Sequence, residues 1–149
     1  RVLVLNEMPG WQGYQFPNTP PAQAQYVQAE DFDNMSGVIV GSTTDESGGS
    51  SVGSIDTNDW MTYNAISVSQ SGYYTLAFRV ASPTGGQLAL ERAGGSEVFA
   101  TVNVPATGGW QNWQTVYVSV YFSAGSYDLG VKATQGGWNF NWFSYQPEN

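Results

Sequence analysis

From Gln25 onward, apolar and polar residues alternate with a period of two in short runs separated by turn residues. Across residues 73–81, Tyr74, Leu76, Phe78 and Val80 share one face, and Thr75 and Arg79 share the other. In residues 87–92, Leu88 and Leu90 point inward while Glu91 points out. Val98, Ala100, Val102 and Val104 alternate with Phe99, Thr101 and Asn103. Val116, Val118, Val120 and Phe122 oppose Thr115, Tyr117 and Tyr121, and Tyr127, Leu129 and Val131 oppose Asp128 and Lys132. The breaks fall at double or single glycines, among them Gly85-Gly86, Gly94-Gly95 and Gly108-Gly109. No stretch carries a helical stripe. Amphipathic strands at this spacing predict an all-β protein with two antiparallel sheets packed face to face.

Residues 1–24 break the pattern, with a short apolar run, then Trp11 and Tyr14, then the stiff Pro17-Asn18-Thr19-Pro20-Pro21. This segment reads as an extension or linker from a larger polypeptide, either free or docked, and residues 25–149 read as the folded module. The chain opens at Arg1 with neither an initiator methionine nor a signal-peptide pattern, so it is read as a mature, excised piece.

Composition then narrows the function. The chain has no cysteine and no histidine, which removes thiolate chemistry and the commonest general base. Four cationic residues stand against twelve acidic ones, for a net charge of −8, so nucleic acid and anionic membranes are excluded as partners. No apolar run approaches the roughly 18 residues of a membrane span. Aromatic residues make up 15% and charged residues only 11%, a balance expected of a secreted β protein.

Catalysis needs a carboxylate pair here, as in a glycoside hydrolase, and the candidates are Asp45, Asp56, Asp59 and Glu91. Asp56 and Asp59 lie in a turn, where aspartate stabilises the backbone, and Glu91 stands alone on its strand. The chain is therefore expected not to be an enzyme. In Gln28-Ala29-Glu30-Asp31, strand periodicity would put Gln28 and Glu30 on one side, as a pair of hard oxygen ligands for Ca²⁺ or simply as a solvent face. Trp60, Glu91 and Lys132 fall at outward or turn-adjacent positions, where an indole can stack on the C–H face of a sugar beside an acceptor and a donor. The alternative makes Trp60 core and Glu91–Lys132 an idle surface pair. Trp110 follows two glycines at a loop tip, Trp113 enters the next strand as a buried residue, and Asn139 and Asn141 share a face.

Taken in order, these segments resemble the family 6 carbohydrate-binding modules. The likeness runs from about Gln25 to Tyr145 through Gln28-Ala29-Glu30-Asp31, Met35-Ser36-Gly37, Val52-Gly53 with Ile55-Asp56, and Asp59-Trp60. It continues through Gly72-Tyr73-Tyr74, Arg79-Val80-Ala81-Ser82, Thr107-Gly108-Gly109-Trp110 with Trp113, and Gly136-Gly137-Trp138-Asn139-Phe140-Asn141-Trp142. The resemblance implies a jelly-roll β-sandwich, a structural Ca²⁺ held by Gln28, Glu30 and Asn141, and two clefts. The loop cleft would use Trp110 and Asn139, but Ser54 stands where the family usually has a second aromatic. Trp11 or Tyr14 could replace that aromatic, or a different sugar could need the room. The cleft on the concave sheet face would use Asn34, Trp60, Glu91 and Lys132. The expected function is a secreted, monomeric, non-catalytic module that holds a covalently linked glycoside hydrolase on a β-glucan. The alternatives are an agarose or marine galactan binder working through the loop cleft, a hydrolase domain, and a purely structural domain.

Overall fold

The computed structural model describes residues 23–148. The reading of Trp11 and Tyr14 falls outside those residues. Eleven strands form: β1 (Gln25–Gln28), β2 (Asn34–Ser36), β3 (Ile39–Ser42), β4 (Ser50–Ile55), β5 (Trp60–Val68), β6 (Gly72–Ala81), β7 (Gly86–Arg92), β8 (Val98–Val104), β9 (Trp113–Phe122), β10 (Gly125–Gln135) and β11 (Trp138–Pro147). A single 3-10 turn, Ala29–Asp31, follows β1. All pairings are antiparallel.

The first sheet runs β3-β4-β11-β6-β9, with β1 sharing the β4 edge of β11. The second runs β2-β5-β10-β7-β8. Two amphipathic sheets bury their apolar faces against each other, and the core contains the expected Leu76, Phe78, Val80, Leu88, Leu90 and Val131 together with residues the alternation had not singled out. Leu76, Phe78, Val80, Phe140 and Phe143 come from the first sheet, and Met61, Tyr63, Leu88, Leu90 and Val131 from the second. Arg79 and Glu91 face outward, as their alternation requires.

β-Bulges interrupt that alternation at five places among the described strands, and three of them bear on the expected faces and sites. In β8 the register passes from Leu90↔Ala100 to Glu91↔Val98. Phe99 is the unpaired residue, so it turns inward onto Phe122 and Tyr127, and Val98 is left exposed. The expected face for residues 98–104 is therefore reversed at its first two positions. In β4, Gly53 and Ser54 together oppose Asn139, and Ser54 adopts a φ of 52°. In β11, Asn141 is the extra residue between Phe140↔Val80 and Trp142↔Arg79.

Candidate functional site

The register of the second sheet assembles one constellation on its open face. Trp60 on β5 pairs directly with Lys132 on β10. One step along the strands, Asn34 pairs with Thr62, Thr62 with Gly130, and Gly130 with Glu91. Directly paired side chains have β-carbons about 5 Å apart, so indole and ammonium are neighbours. Asn34 to Glu91 spans three strand intervals, about 14 Å. The four residues singled out in the sequence thus lie on one face, in two adjacent rows.

Trp60 is half-buried, so it is not a core residue. The ion pairs among the described residues are Arg79–Asp45 and Arg92–Glu97. Among those residues the side chains of Trp60, Glu91 and Lys132 make no hydrogen bond within the protein, so Glu91 and Lys132 are not a surface pair. The Asn34 amide accepts from the Met35 N–H at 2.9 Å, which leaves its NH₂ group open. Between Lys132 and Glu91 the sheet carries small side chains, Ala89 and Gly130. A β-carbon at Gly130 would sit 3.3 Å from Glu91 Cγ, so the Glu91 stem lies across that glycine. Thr62 and Gly130 were not anticipated, because only strand order brings them between Asn34 and Glu91.

The loop cleft lies at one end of the first sheet. Asn139 faces outward from β11, and its Nδ2 donates to the Trp110 carbonyl at 2.7 Å. Its Oδ1 occupies the space of the missing Gly53 side chain, where a β-carbon would come within 2.8 Å. The Trp110 loop is tied down where Thr107 Oγ1 accepts from the Ser82 N–H at 2.9 Å and donates to the Ser82 carbonyl at 3.1 Å. Trp110 is 50% exposed, and beyond Gly53 the next side chain on that face is Ile39, 62% exposed. Beyond Asn139 the outward positions of β4 and β3 are thus Gly53 and Ile39, with Ser54 exposed at the bulge. Trp113 was expected to be buried. It pairs with Ala81 on the outer face instead, half-exposed, with Nε1 donating to Gln111 Oε1 at 3.2 Å.

Gln28, Glu30 and Asn141 come together differently from the simple alternation. β1 ends at Gln28, so Glu30 rides on the 3-10 turn rather than on a strand. Asn141, the extra residue of the bulge, is completely buried, whereas Asn139 on the same strand stays partly exposed. That turn packs against β11. Asn141 Nδ2 donates to Asp45 Oδ2 at 2.7 Å and to Ser47 Oγ at 3.0 Å, which orients its Oδ1 away from both. Glu30 Oε1 and Asn141 Oδ1 are buried without a hydrogen-bond partner. Burial is the main cause of a raised Glu30 pKa. Two buried acceptors lacking donors are costly, and an oxygen-seeking cation satisfies both, so the residues fit Ca²⁺.

Two of the catalytic candidates, Asp45 and Asp59, are otherwise engaged. Asp45 binds Arg79 through both oxygens, at 2.8 and 3.0 Å. The Arg79 hydrogen bond holds its carboxyl below the usual aspartate range. Asp59 accepts from the Asp56 N–H at 2.8 Å and fills the space beside Gly37.

A β-sandwich with an open face carrying an indole, an unpaired acid and an unpaired base has the form of a module that holds a polysaccharide. The chain belongs to the carbohydrate-binding modules of family 6, whose profile matches residues 28–147. It is similar to the module of lichenase 5A from Cellvibrio mixtus, solved with cellotriose, at 44% identity and a TM-score of 0.82, covering 84% of this chain and 98% of that one. A β-1,3-glucan-binding family 6 module from Bacillus halodurans is 33% identical, with a TM-score of 0.77 and coverage of 82% and 95%. The alpha subunit of clotting factor G from Tachypleus tridentatus is 38% identical over 120 residues, 80% of this chain. Those residues span only 18% of that relative's length.

Proposed function

We propose that the module binds a β-linked glucan along the open face of the second sheet, and so keeps an attached, secreted glycoside hydrolase on its polysaccharide. The observation that carries this reading is the state of Trp60, Glu91 and Lys132: adjacent, accessible and, among the described residues, without hydrogen-bond or ion-pair partners for their side chains. The indole offers an apolar platform to the C–H face of a pyranose, while the carboxylate accepts and the ammonium donates to hydroxyls beside it. Asn34 adds a donor at the far edge of the same row. A face crossed by strands has no end wall, which suits the interior of a chain. The cellotriose held by one solved relative and the β-1,3-glucan binding of the other support a β-glucan. Residues 1–24 would join the module to the larger enzyme.

The loop cleft takes the lesser part, because among the described residues Ser54 and Ile39, not a second aromatic ring, stand beyond Asn139 on the β4–β3 side. A structural Ca²⁺ held by Gln28, Glu30 and Asn141 supplies positive charge to oxygens that are otherwise unsatisfied. Its contribution is to stability, by binding only the native state.

An open, solvated groove gains little after ordering costs, so the expected dissociation constants are about 10 µM to 1 mM. Covering about 100 Å² of apolar sugar surface at about 25 cal/mol per Å² gives roughly 2.5 kcal/mol, so Trp60→Ala should weaken binding at least about tenfold. Calorimetry with a soluble β-glucan and an agaro-oligosaccharide is the test, run on Trp60→Ala, Glu91→Ala and Trp110→Ala. Loss of binding in Trp110→Ala with none in Trp60→Ala would transfer the site to the loop cleft.

A further inference from the structure

The outer face of the first sheet carries a concentration of exposed aromatic side chains that neither cleft uses. Tyr26, Tyr73, Tyr117 and Tyr121 are between 53% and 67% exposed. The register brings them onto one surface. Tyr26 pairs with Ser144, Ser144 with Ala77, and Ala77 with Tyr117, making one row across β1, β11, β6 and β9. Tyr73 pairs with Tyr121 farther along, and the two rings meet edge to face at 5.4 Å. At the other end Tyr26 meets Trp142 edge to face at 4.9 Å, beside an open hollow of about 340 Å³ that Arg79 and Thr115 also line.

Ala77 and Ser144, in the middle of the row, are only 5% and 6% exposed, so neighbouring side chains lean across them. Tyr26 and Tyr117 stand three strand intervals apart, about 14 Å. Clustered exposed aromatics of this kind mark a binding surface. The chemistry of the surroundings selects the ligand. Arg79 beside the row is neutralised by Asp45, Glu148 accepts from the hydroxyls of Thr75 and Ser119 at 3.0 and 2.7 Å, and the exposed Glu46 lines the hollow next to Tyr26. The charge left on this face is acidic, which disfavours an anionic ligand. Of the exposed aliphatic residues, Val98 lies on the second sheet, and Ile39 and Val40 lie on β3 at the far edge of the first, on the other side of β4 and β11 from Tyr117 and Tyr121. Rings interleaved with hydroxyl groups, with no unpaired cation among the described residues of this face, match an uncharged rather than an anionic polyhydroxyl chain.

We propose that this tyrosine face is a second polysaccharide-contacting surface, on the sheet opposite the Trp60 groove, which engages neighbouring strands of an insoluble glucan. It stands independently of the groove reading. Two faces on one module act by avidity, so the effect belongs to multivalent, insoluble ligand and not to short oligosaccharides.

The test uses the whole chain and four forms: unaltered, Trp60→Ala, Tyr26→Ala/Tyr117→Ala, and Tyr73→Ala/Tyr121→Ala, with melting curves to establish folding. Retention on β-1,3-glucan particles and on regenerated cellulose is compared with calorimetry against a short soluble β-glucan oligosaccharide. The tyrosine pairs should lower retention on at least one insoluble glucan about tenfold or more while changing the oligosaccharide affinity by less than about twofold. If Trp60→Ala abolishes retention and both tyrosine pairs leave it unchanged, the groove is the whole binding site and the tyrosine proposal fails. If the tyrosine pairs abolish retention and Trp60→Ala does not alter either measurement, the tyrosine face holds and the groove reading fails. Unchanged retention with altered self-association in sedimentation would make the face a protein contact and overturn the proposal.

Discussion

Gly130 provides a way to separate binding from folding in the Trp60 groove. Its neighbours across the sheet are Thr62 and Glu91, and it is buried because the Glu91 side chain covers it. A β-carbon there would lie 3.3 Å from Glu91 Cγ, 3.6 Å from Glu91 Oε2 and 3.6 Å from the Ala93 α-carbon. Gly130→Ala therefore displaces a flexible stem by a few tenths of an ångström, and Gly130→Val displaces it further and raises the groove floor. Replacing a strand glycine removes its excess unfolded-state entropy, about 0.4–1 kcal/mol in favour of the variant. Neither substitution is expected to lower the melting temperature. Binding should respond in the opposite direction. A hydrogen bond to a charged group contributes about 1.5–3 kcal/mol, and 1.4 kcal/mol is tenfold in affinity. Losing the Glu91 geometry should thus cost about tenfold for Gly130→Val and less for Gly130→Ala. Calorimetry against a soluble β-glucan, paired with thermal melts, measures both. Full-strength binding by a stably folded Gly130→Val would refute the placement of the ligand over β10.

Two further outcomes concern the ends of the sandwich. Glu30 has its pKa raised by burial, so without a cation its penalty is absent below the ordinary glutamate range and grows as pH rises through the shifted value. The metal-free protein should lose melting temperature between about pH 4 and neutrality, Ca²⁺ should reverse that trend, and Glu30→Gln should flatten it. A melt at neutral pH that is indifferent to both chelator and added Ca²⁺ would remove the metal from the account. Asp45 behaves in the opposite sense: its pKa is depressed chiefly by Arg79, so its contribution is present above the ordinary aspartate range and lost as pH falls through the lowered value. Asp45→Asn should cost about 2 kcal/mol at neutral pH and little below about pH 3, as read from urea unfolding.

Much of this molecule is legible along the chain because a strand assigns its faces locally, one residue in and the next out. The alternation in β6, β7 and β10 identified Leu76, Phe78, Leu88, Leu90, Leu129 and Val131 as core and released Arg79, Glu91 and Lys132 outward. Residue chemistry and family resemblance together pointed to Asn34, Trp60, Glu91 and Lys132, and the tertiary structure places all four on one face. The bulges at Phe99, Ser54 and Asn141 were not legible, since an extra residue is extra only relative to a partner strand far away in sequence. One such residue reverses the face assignments beyond it, which is why Phe99 turned inward. Strand order is equally non-local. Only the sequence of strands β2-β5-β10-β7 puts Gly130 beneath Glu91 and Trp60 beside Lys132, and only β1-β11-β6-β9 draws Tyr26 and Tyr117 onto a common surface. Side-chain direction is a property of one strand, whereas a binding face is a property of which strands lie side by side.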